Sequence, residues 1–195
     1  MSKPRHSRKY YAALNDAGLR AHYKRSDFEN RKDFVKNTRA ETARQNMVTN
    51  KGWIKGAYSD YKSPNSWDFH ADHRVALEEA FLSGGWNMSQ AMKKSFGKDQ
   101  SNIVMAQGKI NVDKSSKSID KWLPKKNVLQ YLEGREATKK AYNLTMTASE
   151  TNTFIKEVGR KPDVKLGNKD KYCSSCHTLP VGKSIKMYKK KRNES

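Results

Sequence analysis

The chain has 195 residues, of which 40 are Lys or Arg and 20 are Asp or Glu, for a formal net charge of +20. Only 35% of the residues are hydrophobic, and no stretch approaches the ~18 consecutive apolar residues of a transmembrane helix. Those figures exclude a large apolar core and a transmembrane helix, and a surface this cationic attracts polyanions.

Nucleic acid is the expected partner, with DNA ahead of RNA and no membrane partner. The expected fold is mainly α: a small helical core carrying a helix-turn-helix unit, with flexible basic N- and C-terminal extensions. Four regions follow from composition: a basic helical arm (1–50), an aromatic and basic linker (51–68), a helical core (69–159) and a basic tail (160–195).

Met1–Ser7 is a polar, basic arm, and Met1–Ala13 lacks the apolar stretch of a secretory signal. The arm from Arg8 to Met47 reads as weakly amphipathic helix. Tyr10, Tyr11, Leu14 and Tyr23 form one face, followed by Phe28, Phe34 and Val35, with Ser26 or Asp27 as N-cap of the second segment. Its Arg and Lys residues suit either phosphate or solvent. Lys51–Asp68 is broken by Gly52, Gly56 and Pro64 and is not helical. Its aromatics, Trp53, Tyr58, Tyr61 and Trp67, alternate with lysines and can stack on bases or pin the segment to a core.

The central stretch Val75–Ile103 predicts a helix capped by Asp68 or Asp72 and closed at Ser83-Gly84-Gly85. A second helix starts at Asn87, with Met88, Ala91, Met92 and Phe96 on one buried stripe. Gly97 permits a turn, and Asp99 or Ser101 opens a third helix. The helix-turn-helix then spans Met88–Gln107. Lys98, Gln100, Ser101 and Asn102 face outward on the first turn of its recognition helix, where Gln and Asn can read adenine edges and Ser and Lys can hold phosphate or guanine. Lys93 and Lys94 add charge beside them.

The phrase FLSGGWNMSQAMKKSFG, followed by Ser115–Glu136, resembles the N-terminal helix-turn-helix region of phage terminase small subunits. The resemblance covers Val75–Glu136. It implies DNA binding, a homo-oligomeric ring, the large terminase subunit as partner, and a place in the host cytoplasm or virion. Gln107–Lys114, between the expected recognition helix and the next helix, departs from the pattern, as do the basic ends.

Gly108–Lys114 reads as a turn or short wing, with Ile110 and Val112 alternating. Ser115 or Ser116 caps a helix holding Ile119, Trp122 and Leu123, and Lys125–Glu133 resumes it before Gly134. Thr147–Glu150 fits a capping box that opens a helix ending at Gly159. The tail ends in Lys189, Lys190, Lys191 and Arg192, a cluster that binds phosphates through charge alone.

Cys173 and Cys176 are the only cysteines, too few for a disulfide framework, which fits a reducing compartment. Cys173, Cys176 and His177 form a CxxCH. It is a candidate half-site for zinc, completed by His22, His70, His73 or a second subunit. It also matches a c-type haem attachment or redox pair, or two free cysteines. His70 and His73, with Asp68 and Asp72 nearby, are a candidate metal pair or the start of a helix. With no P-loop, no nucleophile elbow and no acidic metal cluster, no enzymatic activity is expected. An RNA-binding assembly protein and a structural virion protein that binds nucleic acid non-specifically are the alternatives.

Overall fold

The computed structural model describes residues 8–167, and the fold is mainly α. The N-terminal arm is not one helix. It breaks into α1 (Arg8–Ala13), α2 (Asp16–Arg20), α3 (Arg25–Phe28) and α4 (Arg31–Asp33). The polar side chains that end one segment start the next. Asn15 caps α2 by accepting from the Gly18 amide, and Asn30 caps α4 by accepting from Lys32 and Asp33, in place of the expected Ser26 or Asp27. The chain then runs through a π-helical segment, Phe34–Arg39, into α5 (Ala40–Thr49).

This arm is part of the core. Leu19 and Phe28 are buried with Val75, Leu77, Ala80, Phe81, Phe96 and Leu144, and Tyr11, Leu14 and Tyr23 pack around them. Tyr10 and Val35, expected on the same face, are exposed.

The linker folds into a small hairpin, β1 (Ile54–Lys55) against β2 (Lys62–Ser63), with Ile54 and Tyr58 buried. Where a helix cap was expected, β3 (Phe69–His73) runs as a strand. The helix begins later, as α6 (Leu77–Leu82), and ends at Gly84, whose φ of 113° only Gly adopts without strain. The next helix, α7 (Gln90–Lys98), is capped by Ser89 and not by Asn87. Its buried residues are Lys93, Phe96 and Gly97, while Met92 is 46% exposed. Gly97 lets α7 approach α3: a Cβ there would lie 2.3 Å from the Phe28 carbonyl oxygen.

No third helix follows. Asp99 to Asn102 is a turn, held by the Asp99 carboxylate accepting from the Ser101 amide and hydroxyl at 2.9 and 2.7 Å. The chain then enters β4 (Ile103–Gln107). The apolar, β-branched run Ile103-Val104-Met105-Ala106 is buried on both faces, which favours a strand over a one-sided helix. β4 pairs antiparallel with β3, placing His70 opposite Ala106 and Asp72 opposite Val104. The expected wing is instead α8 (Gly108–Lys114), which leaves β4 directly and packs on both strands.

Residues 115–127 contain no helix, although Ile119 is buried and Trp122 packs beside Tyr58 and Tyr131. Helix α9 (Val128–Ala141) runs straight through Gly134, where the absent side chain makes room for the Arg74 guanidinium. β5 (Thr145–Met146) pairs in parallel with β6 (Lys165–Leu166), so part of the expected tail belongs to the fold. Between them lies α10 (Ala148–Val158), with the expected Thr147–Glu150 capping box and Gly159 at its end.

A buried ion network ties α6, α9 and α10 together. Arg135 pairs with Glu79, and Lys139 lies 3.0 Å from Glu79 and 2.8 Å from Glu150. All four side chains are at most 6% exposed. Burial pushes the Glu79 carboxyl up, but Arg135 and Lys139 outweigh it and hold the group below the usual carboxylate range. Among the described residues, no helix is long and apolar enough to cross a membrane.

A candidate nucleic-acid interface

The residues expected on a recognition helix have other work in the fold. Asn102 is fully buried. Its Oδ1 accepts from the Val75 amide at 2.9 Å and its Nδ2 donates to the Val75 carbonyl at 3.1 Å, pinning the turn to the start of α6. Gln100 Oε1 accepts from the Thr42 hydroxyl at 2.8 Å, and Ser101 is bonded to Asp99. Lys93 is buried with its ammonium 5.3 Å from the Phe81 ring centroid and 5.9 Å from that of Phe28. Lys94 donates to the Ser26 carbonyl at 2.6 Å. Of this set Lys98 and Ser101 are exposed. The helix-turn-helix reading is therefore corrected to helix, turn and strand, because the third segment buries both its faces. Cys173, Cys176, His177, Lys189, Lys190, Lys191 and Arg192 lie outside the described residues.

The structure gathers a different set around one cleft of about 740 Å³, within the range of binding pockets. One wall comes from α3, α4 and the π-helical segment and carries Arg25, Arg31 and Arg39. The other comes from β3 and α8 and carries His70 and Asn111, with Trp67 at its edge. The π-helical segment matters here. Its extra residue per turn rotates the side chains that follow, and it buries Phe34 and Thr38. Phe34 stacks on His73 with ring centroids 5.2 Å apart.

The two carboxylates that line the cleft, Asp72 and Glu78, are each paired with a cation. Glu29 lies behind the arginine wall, 2.5 Å from Arg25 and 4.0 Å from Arg31. Asp72, 7% exposed, lies 3.0 Å from the buried Lys114 ammonium and accepts from the Tyr58 hydroxyl at 2.5 Å. Burial, reinforced by Asp72, pushes the Tyr58 hydroxyl well above its ordinary value. Glu78 lies 3.2 Å from Arg20. Arg31 is 67% exposed. Arg39 is anchored by donating to the carbonyls of Ser66 and Phe69 at 2.8 and 3.3 Å. The wall thus presents guanidinium groups that suit phosphate geometry.

His70 and His73 face different surroundings, as residues three apart on a strand must. The His73 ring is buried, its Nε2 is 3.1 Å from the Gly97 carbonyl, and burial pushes its pKa below the ordinary value. It is a neutral packing residue. His70 is exposed, with Nδ1 3.4 Å from the Asn111 Nδ2 and its ring against Gly108. Asp72 turns to Lys114 and not toward either histidine ring. The two histidines therefore do not form a metal pair, and among the described residues no group of three or more His, Cys, Asp or Glu side chains is placed to hold a metal.

Comparison with protein-family models finds no match, and comparisons with curated proteins and with solved structures find none. The cleft residues escaped the motif reading because they come from three separate stretches. The signal that existed was the run of arginines in the arm, together with a Trp flanked by polar residues.

Proposed function

We propose that this chain binds nucleic acid, with the phosphate backbone lying in the cleft between the arginine wall and the β3–α8 unit. The observation that supports this reading most is the arginine lining itself: Arg31, 67% exposed, and Arg39 line a cleft whose own carboxylates, Asp72 and Glu78, are each occupied by a cation, with Arg25 beside them held by Glu29. In a chain of charge +20 such a wall draws a polyanion in and releases its counterions. Binding to oligonucleotides across a salt series tests it. The reading expects a steep salt dependence that falls when Arg31 is replaced by Ala, and salt-independent or absent binding overturns it. A genome-packaging or virion-associated role, implied by the terminase resemblance, is a further proposal that no longer has a recognition helix to carry it. A ring-sized oligomer preferring duplex DNA in the same samples would support it. Preference for RNA would favour the ribonucleoprotein alternative.

A further inference from the structure

Trp67 has the most exposed large hydrophobic side chain of the described residues, at 79%. An indole that open loses hydrophobic stabilisation unless a partner covers it. Two features hold it where it is. Its amide donates to the Asn65 Oδ1 at 3.1 Å, fixing the short 3₁₀ turn Ser66–Asp68. The Arg39 guanidinium covers one ring face at 4.9 Å from the centroid, while its own Nη2 bonds the Ser66 and Phe69 carbonyls on either side of the indole. The ring is therefore steadied from below and exposed above, at the edge of the cleft that also holds His70.

From this arrangement we infer that Trp67 is a stacking platform for an unpaired nucleobase, so that the cleft takes single-stranded nucleic acid, or an unstacked nucleotide, in preference to intact duplex. The inference rests on the nucleic-acid reading above. Charge complementarity identifies the occupant. The Arg39 guanidinium beneath the ring and the exposed Arg31 lining the same cleft repel a cationic peptide and attract phosphate, the Asp68 carboxylate beside the ring is taken up by the Tyr61 hydroxyl and the Asn65 amide, and the indole face asks for a flat aromatic group. A nucleotide offers both in one residue. Bases inside a duplex keep their faces covered by their neighbours and cannot reach the ring without being turned out. Stacking of this kind tolerates any base, because every base has a π-face.

The test measures affinities of the full chain for a single-stranded DNA 12-mer, a single-stranded RNA of the same sequence, and the corresponding DNA duplex, by fluorescence anisotropy of a labelled end. Trp67→Ala should weaken single-strand binding about tenfold, the size of one base-stacking contact, and duplex binding less than twofold. Trp67→Phe should restore most of the loss, and thermal melting should show that both variants fold. DNA and RNA losing equally assigns the contact to the base, whereas loss on RNA alone would place it at the sugar and overturn the stacking platform. Equal loss on single strand and duplex, or no loss on either, also overturns it. Failure of the wild-type chain to bind any of the three would refute the underlying reading as well, and is distinguishable because it needs no variant.

Discussion

Replacing Lys139 by Met should destabilise the fold by about 3–5 kcal/mol, the usual cost of removing one partner from a buried ion network. The geometry sets that size. Lys139 is 1% exposed and its ammonium meets Glu79 at 3.0 Å, Glu150 at 2.8 Å and the Thr145 carbonyl at 3.1 Å. Two buried carboxylates balance two buried cations, and the substitution leaves a net negative charge with Arg135 alone to meet it. One Glu79 oxygen is already without a hydrogen-bond partner, so the site has little slack. A domain of this size is stable by ~5–15 kcal/mol in total, which makes the effect large in a urea titration followed by tryptophan fluorescence. Adding Glu150→Gln to Lys139→Met restores charge balance and keeps an acceptor for the Thr147 amide, now 2.9 Å from Glu150 Oε2. The double variant should therefore be more stable than Lys139→Met alone. If Lys139→Met costs less than 1 kcal/mol, or if the second substitution adds a further independent loss, the buried network does not hold the three helices as argued.

Three other predictions are smaller in scope. Gly97→Ala places a Cβ 2.3 Å from the Phe28 carbonyl oxygen, so α7 must move away from α3. A loss of about 1–3 kcal/mol and a lower thermal midpoint should result. Because burial holds the His73 pKa below its ordinary value, of ~6.5, the unfolded chain takes up that proton first as pH falls. Stability is thus complete above about pH 6.5 and declines as pH falls below it, and the decline should flatten in His73→Gln when urea midpoints are compared. The Glu136 carboxyl is held low chiefly by Arg160, which bonds it at 2.7 and 2.8 Å. Its contribution is present above ~4.3 and is lost as pH falls below that, so Arg160→Ala should reduce the acid sensitivity of unfolding below pH 4.5.

What the sequence made legible follows from where its patterns are local. The Thr147 capping box, the Gly159 end and the Gly84 break are each decided by residues adjacent in the chain, and the structure contains all three. The third helix of the expected helix-turn-helix failed because Asp99–Asn102 has the composition of a helix start, while the decision lay with Ile103–Ala106, whose two buried faces need the partner strand β3. The buried stripe on α7 was misplaced for a related reason. Lys93 was counted as solvent-facing, yet Phe28 and Phe81, distant in sequence, provide aromatic faces for its ammonium. Lys114, Glu79 and Arg135 escaped likewise, since charged residues go inside only when a partner is there to meet them, and those partners lie 42 to 56 positions away. The cleft was partly visible: the arm was read as either phosphate-binding or solvated, but its sharing a cleft with His70 depends on the fold.

Binding of the full chain to a single-stranded oligonucleotide across a salt series, with wild type, Arg31→Ala and Lys156→Ala side by side, tests the central claim most directly. Both side chains are exposed, and of the two only Arg31 lines the cleft. The account predicts that Arg31→Ala weakens binding and reduces the slope of log K against log salt by about one, while Lys156→Ala matches wild type. Equal behaviour of the three proteins would place the nucleic acid elsewhere on the chain and contradict the account.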